Sequence, residues 1–254
     1  MLQVVGLTRT YRQRAAVAGV SFTIRPGEVL GYLGPNGSGK STTVKMLTGM
    51  LEPSSGEAFY RGKNIREDLI SYQRVLGYVP EEPHVYPYLT GLEYLQLAGR
   101  LRDLPEKQLH EKVGALLNLF SLFDHRYSPI SSYSKGMRQK ILIIAALLHN
   151  PEVLVFDEPL SGLDVTSALV FRHLVRSLSR EGKVILYSSH VLEVVEKVCT
   201  RVIILRKGKI VAHDSVARLR ELLESPSLED VFSQLVVQED TGKLAEEMIA
   251  VMKA

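Results

Sequence analysis

Eight consecutive residues, Gly34-Pro35-Asn36-Gly37-Ser38-Gly39-Lys40-Ser41, fit the pattern G-x-x-x-x-G-K-[ST]. Such a loop suits a chain of phosphates. Glycines let backbone N–H groups close around phosphate oxygens, and the positive end of a following helix points at them. Lys40 is expected to meet the β- and γ-phosphates, and the Ser41 hydroxyl a Mg²⁺ ion, with Thr42 beside it completing the nucleotide contacts. A chance glycine-rich turn would not need the apolar run before it or the helix-compatible stretch after it. Both are present.

A second constellation is Val153-Leu154-Val155-Phe156-Asp157-Glu158, an apolar run that ends in two carboxylates. A carboxylate at the end of a buried strand is costly unless a cation or hydrogen-bond donors meet it. Asp157 is placed to hold the Mg²⁺ shell, directly or through water, and Glu158 to take a proton from an attacking water. Taken alone, the pair also reads as a solvated acidic turn ahead of Pro159. His190 follows Tyr187-Ser188-Ser189 at the end of a similar run. A neutral imidazole there can hydrogen-bond a γ-phosphate, although a lone histidine is more often structural.

The elements that must position these groups are legible in the pattern. Val17 to Ile24 and Glu28 to Leu33 read as strands around the Arg25-Pro26-Gly27 turn, with a helix from Lys40 to Met50. Pro53-Ser54-Ser55-Gly56 precedes a hairpin-like pair at Ala58-Phe59-Tyr60 and Arg61-Gly62-Lys63, and Val75 to Val79 is a strand stopped by Pro80. From Thr90 to about Leu148 the spacing turns helical, through Leu92, Leu95, Leu97 and Leu101, then Val113, Leu116, Leu117 and Phe120. Val153–Phe156 and Val184–Tyr187 are apolar at every position, as parallel strands covered on both faces are. Lys207-Gly208 reads as a hairpin turn between Arg201–Leu205 and Lys209–Ala212, and a charged helical tail follows Ser215. The fold class is α/β with a helical insertion.

Composition narrows the function classes. The 254 residues are 45% apolar and 23% charged, ordinary globular usage, which excludes disorder over most of the chain. The net charge of +3, from 31 basic and 28 acidic residues, is too small to imply a nucleic-acid partner. The longest aliphatic run, Ile141 to Leu148, is eight residues, far below the roughly 20 that span a bilayer. Met1-Leu2-Gln3-Val4-Val5 lacks a basic segment leading into an apolar stretch, so no secretory signal is expected. Cys199 is the only cysteine, which excludes an internal disulfide. A cytoplasmic chain that can touch a membrane without crossing it is expected.

The motifs together resemble the ATP-binding cassette family, the nucleotide-binding subunits of ABC transporters, over roughly residues 1 to 220. Tyr11, ahead of the first strand, matches the family's adenine-stacking aromatic. Tyr133-Ser134-Lys135-Gly136-Met137-Arg138-Gln139 resembles the signature sequence, usually LSGGQ, which other P-loop proteins lack. Asp157 and Glu158 match the second Walker motif, Ser161-Gly162-Leu163-Asp164 the D-loop and His190 the switch histidine.

The resemblance implies a RecA-like P-loop NTPase core, an N-terminal antiparallel β subdomain, and an inserted helical subdomain at about 82–148. It implies ATP and Mg²⁺ as ligands, with Glu158, His190 and Lys40 catalytic. In the family, the helix end carrying Ser134 and Gly136 faces the γ-phosphate held by the opposite subunit, and Asp164 ties the two sites together. A dimer, in the simplest case of two identical chains, is therefore implied. Two positions depart from the family pattern. Lys135 and Met137 replace Gly and Gln in the signature, and Glu81 stands at the usual glutamine of the Q-loop. Glu81 can still ligate Mg²⁺; a solvated acidic Glu81-Glu82 loop is the plainer reading.

Within the family the pattern is similar to members whose ATPase and membrane chains are separate polypeptides, often exporters. The resemblance implies a peripheral position on the cytoplasmic face of the membrane, with Pro83, Tyr86, Tyr88 and Leu89 as the docking segment for a permease, although a core role for any one of the tyrosines fits equally well. A permease-free ATPase acting on proteins, ribosomes or nucleic acid is the alternative. Residues 221–254 form a C-terminal helical extension in this reading. Its stripe of Leu244, Met248, Val251 and Met252 is expected to pack on the chain's own core, with dimer contact or regulation as the alternative.

Overall fold

Strands that are apolar at every position need cover on both faces, and the chain supplies it with one sheet on one side and helices on the other. The computed structural model describes residues 1–236 together with Met248, Val251 and Met252. Strands β1 (Leu2–Tyr11), β2 (Arg14–Ile24), β4 (Ser55–Tyr60) and β5 (Lys63–Asn64) form an antiparallel sheet in the order β2-β1-β4-β5. A second sheet contains β3 (Val29–Leu33), β6 (Leu76–Val79), β7 (Val153–Asp157), β8 (Val184–Ser188), β9 (Arg201–Arg206) and β10 (Lys209–Ser215). Its order is β10-β9-β3-β8-β7-β6, parallel throughout except for the hairpin partner β10.

Every residue of β3, β7 and β8 is buried. Tyr32, Val153, Val155, Leu186 and Ile203 face a core shared with the antiparallel sheet and with α1 (Lys40–Leu47). Leu33, Leu154, Phe156, Ile185 and Tyr187 face the opposite core. That side is covered by α5 (Lys135–Leu147), α6 (Val165–Arg180), α7 (Leu192–Val198), α8 (Val216–Leu222) and α9 (Leu228–Val236). A third core holds α5 to α3 (Gly91–Arg100) and α4 (Glu106–Leu119) through Leu95, Leu109, Val113, Leu117 and Ile141. Thr90 starts α3 with a reciprocal cap. Its hydroxyl accepts from the Glu93 N–H, and its own N–H donates to the Glu93 carboxylate.

Four sequence expectations need correction. Tyr11 is not ahead of the first strand: Leu2–Tyr11 is itself a strand, with Leu2, Val4 and Leu7 buried. A register shift between Val4 and Leu7, at the positive-φ Gly6, breaks the two-residue alternation that would have revealed it. Helix α1 stops at Leu47 rather than Met50, because Thr48 caps it and Gly49 turns left-handed at φ 80°. Leu101 lies just past the end of α3 and is exposed, so the helical stripe ends earlier than its spacing suggests. Of the C-terminal stripe, Leu244 lies outside the described residues, while Met248, Val251 and Met252 are exposed helical residues rather than core.

Parallel pairing has one consequence for function. The C-terminal ends of β3, β8, β7 and β6 lie along one edge of the sheet, with Tyr32 and Asp157 both in register with Ser188. The segments leaving that edge are the glycine-rich loop, Ser189-His190, Glu158 and Pro80-Glu81. Ligand sites of open α/β sheets form at such edges.

Candidate functional site

The glycine-rich loop is held by close backbone approach. A Cβ on Gly39 would lie 2.5 Å from the Ala16 carbonyl, and one on Gly34 2.7 Å from the Leu205 carbonyl. The Gly208 N–H donates to the Ser38 carbonyl at 3.0 Å, so the β9–β10 turn also clasps the loop. Gly39, at φ 108°, starts α1 without any side-chain cap, which leaves the first-turn N–H groups for a ligand. From inside, the Thr43 hydroxyl donates to the Gly39 carbonyl at 3.0 Å and accepts from the Tyr32 hydroxyl at 3.1 Å. Lys40 Nζ donates to the carbonyls of Gly34 at 2.6 Å and Pro35 at 3.3 Å. Burial lowers the Lys40 pKa, while the charges of Glu158, Asp157 and Glu81 oppose that shift.

The loop borders a cleft of about 560 Å³. Gly34 to Thr42, Glu81, Asp157, Glu158 and His190 all line it, so most of the residues singled out from the sequence converge. Asp157 is buried, and its Oδ1 has no hydrogen-bond partner. Burial raises its pKa to about 6, the neighbouring Ser188 hydroxyl and the Lys40 charge oppose the shift, and the Glu81 and Glu158 charges add to it. Glu158, also buried, sits in the left-handed region at φ 47°. Its N–H donates to the Ser188 carbonyl at 2.9 Å, and its carboxylate is gripped from two sides. His190 Nδ1 lies 2.6 Å from Oε1, and the Ser189 hydroxyl donates to Oε2 at 3.0 Å. The His190 side chain is 71% exposed and the Glu158 side chain 9%, so the imidazole covers the carboxylate from the solvent side.

These residues fit Mg²⁺. Asp157 offers an unpartnered buried carboxylate oxygen, and Ser41 lines the same cleft. Among the described residues no cluster of three or more His, Cys, Asp or Glu side chains could hold a metal by itself.

The remaining predicted residues do not line the cleft. Ser134 caps α5, its hydroxyl accepting from the Met137 N–H at 3.2 Å, and both Ser134 and Lys135 are exposed. Gly136 packs on the Ser161–Asp164 segment, since a Cβ there would lie 2.5 Å from the Gly162 carbonyl. Asp164 caps α6, accepting from the Ser167 N–H at 2.8 Å and from the Ser167 hydroxyl at 2.6 Å. Those bonds hold its carboxyl down at about 2. Tyr11 is 47% exposed, with the Arg9 guanidinium 4.9 Å from its ring centroid, and it is absent from the cleft lining.

Sequence reasoning missed three residues. Ser189 holds Glu158, and only its place beside His190 hinted at it. Gln139, fully buried, donates to the Pro159 carbonyl at 3.1 Å and so ties α5 to the acidic turn. Phe232 of α9 lines the cleft, which nothing in its Ser227–Phe232 run announced.

Fold and site together define a P-loop nucleotide hydrolase of the cassette type. The sequence profile described as ABC transporter matches residues 17–161, more than half of the chain. The chain is 37% identical to the ABC transporter ATP-binding protein NatA of Bacillus subtilis, covering 88% of this chain and 91% of NatA. It is 36% identical to the uncharacterized ABC transporter ATP-binding protein YxlF of the same organism, over 97% of this chain and 80% of YxlF. Among solved structures, an ATP-binding subunit of an ABC transporter is 31% identical and superposes with a TM-score of 0.87 over 92% of this chain and 99% of its own length. A dimeric cassette in a post-hydrolysis state, bound to ADP and Pi, shares the fold at a TM-score of 0.78 and 23% identity. It covers 85% of this chain and 98% of that structure. The chain belongs to the ABC transporter family.

The unpaired Asp157 carboxylate makes a stability prediction for the ligand-free protein. Its folded pKa of about 6 lies above its ordinary 3.8, so its charge costs stability in full above pH 6, and the cost fades as pH falls from 6 to 3.8. In EDTA and without nucleotide, Asp157→Asn is expected to be more stable than wild type by about 1–3 kcal/mol at pH 7.5. The gain should shrink toward zero near pH 4 in urea denaturation. A loss of stability at pH 7.5 would contradict the assignment of an uncompensated charge.

Proposed function

We propose that this chain is the ATP-hydrolysing motor subunit of an ABC transporter of the exporter type, acting on a separate permease from the cytoplasmic face of the membrane. The observation that carries the reading is the Glu158 carboxylate, fixed by His190 and Ser189 at the mouth of a cleft that also holds Lys40 and the glycine-rich loop. The loop N–H groups and Lys40 would bind and orient the phosphates of ATP. Ser41 and Asp157 would hold Mg²⁺, with Glu81 on the same rim. When bound there, Mg²⁺ supplies charge neutralisation and alignment of the β- and γ-phosphates.

Glu158 accepts a proton from the attacking water through a lone pair left free by its two hydrogen bonds. His190 holds Oε1 in place and, being exposed on its other edge, can also reach the terminal phosphate. The low exposure of Glu158 limits water around its carboxylate. Glu81, in place of a neutral side chain, adds negative charge to that rim, and its role as a third metal contact is part of this proposal.

A second copy of the chain completes each site. One chain carries one phosphate loop and one signature segment, and Ser134, Gly136 and Asp164 lie away from their own cleft. The packing of Gly136 against Gly162 makes signature and D-loop one surface, suited to approach the partner's ATP together. Tyr11, exposed at the end of β1 with the Arg9 guanidinium on its ring, would stack on adenine in this reading. Residues 1–220 would form the ATPase domain, with the helical subdomain at about 82–148, and 221–254 the extension. No helix among the described residues is long and apolar enough to cross a membrane, so the translocation path belongs to another chain in this reading. The curated relatives named above are ABC transporter ATP-binding proteins, which supports transport over a permease-free ATPase.

Two outcomes test the proposal. Glu158→Gln should retain ATP binding within about threefold, lose at least a hundredfold in turnover, and accumulate a dimer in Mg·ATP on size-exclusion chromatography with light scattering. Turnover near wild type would remove Glu158 as the base. Affinity purification of the tagged chain from detergent-solubilised native membranes should recover a polytopic membrane protein in stoichiometric amount. Recovery of ribosomes, DNA or soluble proteins alone would overturn the transport assignment.

A further inference from the structure

Helix α9 lies beyond the nucleotide-binding motifs in sequence, yet it returns to the cleft they build. Phe232, partly buried and packed against the core beneath it, is the one Phe, Tyr or Trp among the described residues that line that cleft, together with the glycine-rich loop, Glu158 and His190. Helix α9 is anchored for this reach. Ser227 and Asp230 cap its start reciprocally, the Asp230 N–H donating to the Ser227 hydroxyl at 3.2 Å and that hydroxyl to Asp230 Oδ2 at 2.6 Å. Leu228 and Val231 are fully buried against the core that contains Val195 and Val198 of α7. At the far end the Arg206 guanidinium donates to the Leu235 carbonyl at 3.3 Å.

Both anchors belong to elements that hold the nucleotide site. Helix α7 begins two residues after His190, the residue that grips Glu158. Arg206 ends β9, and the turn that follows it presents Gly208, whose N–H donates to the phosphate-loop Ser38 carbonyl. One short helix therefore touches the cleft through Phe232, the His190 segment through α7, and the phosphate loop's clasp through Arg206.

We propose that Phe232 is a positioning residue of the nucleotide site, and that docking of α9 and occupancy of the cleft stabilise each other. This rests on the reading of the cleft as an ATP site. The ring adds an apolar surface to the cleft lining, and the packing of α9 on α7 braces the segment that carries His190. Coupling of this kind is reciprocal. The factor by which nucleotide stabilises docked α9 equals the factor by which undocking α9 weakens nucleotide binding.

The test is amide hydrogen exchange on the full chain, with and without a non-hydrolysable ATP analogue and Mg²⁺, together with nucleotide affinity. In wild type the analogue should slow exchange over residues 228–236 by about fivefold or more, a coupling in the usual range for linked sites. Phe232→Ala should abolish that slowing and raise the Kd by a similar factor, and Phe232→Leu should retain most of both effects. A purely structural Phe232 would lower the melting point of the ligand-free Phe232→Ala protein and leave the nucleotide-dependent slowing intact, which would overturn the proposal. Protection confined to residues 34–42, with 228–236 unmoved, would also overturn it while leaving the ATP site standing. Protection in neither segment would overturn the proposal and the ATP-site reading together.

Discussion

The structure turns on two carboxylates placed where water is scarce. Strand β7 is buried at all five positions and ends in Asp157, with Glu158 immediately beyond. Glu158 receives two side-chain donors, whereas Asp157 keeps a buried oxygen with no partner. Lys40 is the basic residue in the cleft lining, and it is spent in the ligand-free protein on the carbonyls of Gly34 and Pro35. Such an excess of negative charge in a low-dielectric setting is stable only because the fold is held elsewhere, and it is relieved when a cation enters. The parallel sheet, the close glycine contacts and the two enclosing cores are what keep these groups together at that cost.

Glycine contacts do the complementary work on the phosphate side. The loop is squeezed between the Ala16 and Leu205 carbonyls so tightly that side chains at Gly39 and Gly34 have no room. This pins the first turn of α1 against strands of both sheets, so its free N–H groups are aimed before any ligand arrives. Preorganised donors of this kind lose little freedom on binding. The other half of the machinery is built with the same economy. Gly136 and Gly162 meet without side chains between them, while Ser134 and Asp164 cap the two helices that carry that surface. The caps explain these residue types locally, and they leave the segment exposed, as the proposed contact with a second chain requires.

Much of this was legible in the sequence, for physical reasons that also mark the limits. Uninterrupted apolar runs at Val153–Phe156 and Val184–Tyr187 correctly announced strands covered on both faces, because only such strands tolerate an apolar residue at every position. The loop and the Asp157-Glu158 pair were readable because their chemistry demands particular residues at fixed spacing. Strand β1 was not, since the irregularity at Gly6 shifts its register midway. Gln139, Ser189 and Phe232 escaped for a different reason. Their partners lie 20 or 31 residues away, or, for Phe232, across the whole fold, and no local pattern encodes such meetings.

The central claim is that the Asp157 end of the cleft is an incomplete cation site which Mg²⁺ and the phosphates of ATP finish together. The most direct test is calorimetric titration of the wild-type protein with ATP in excess Mg²⁺ and again in EDTA, at pH 7.5. We predict that Mg²⁺ tightens ATP binding by at least tenfold, since Lys40 alone cannot offset three facing carboxylates together with the phosphates. Equal affinity in EDTA would contradict the account, because the carboxylate end would then contribute nothing to holding the nucleotide.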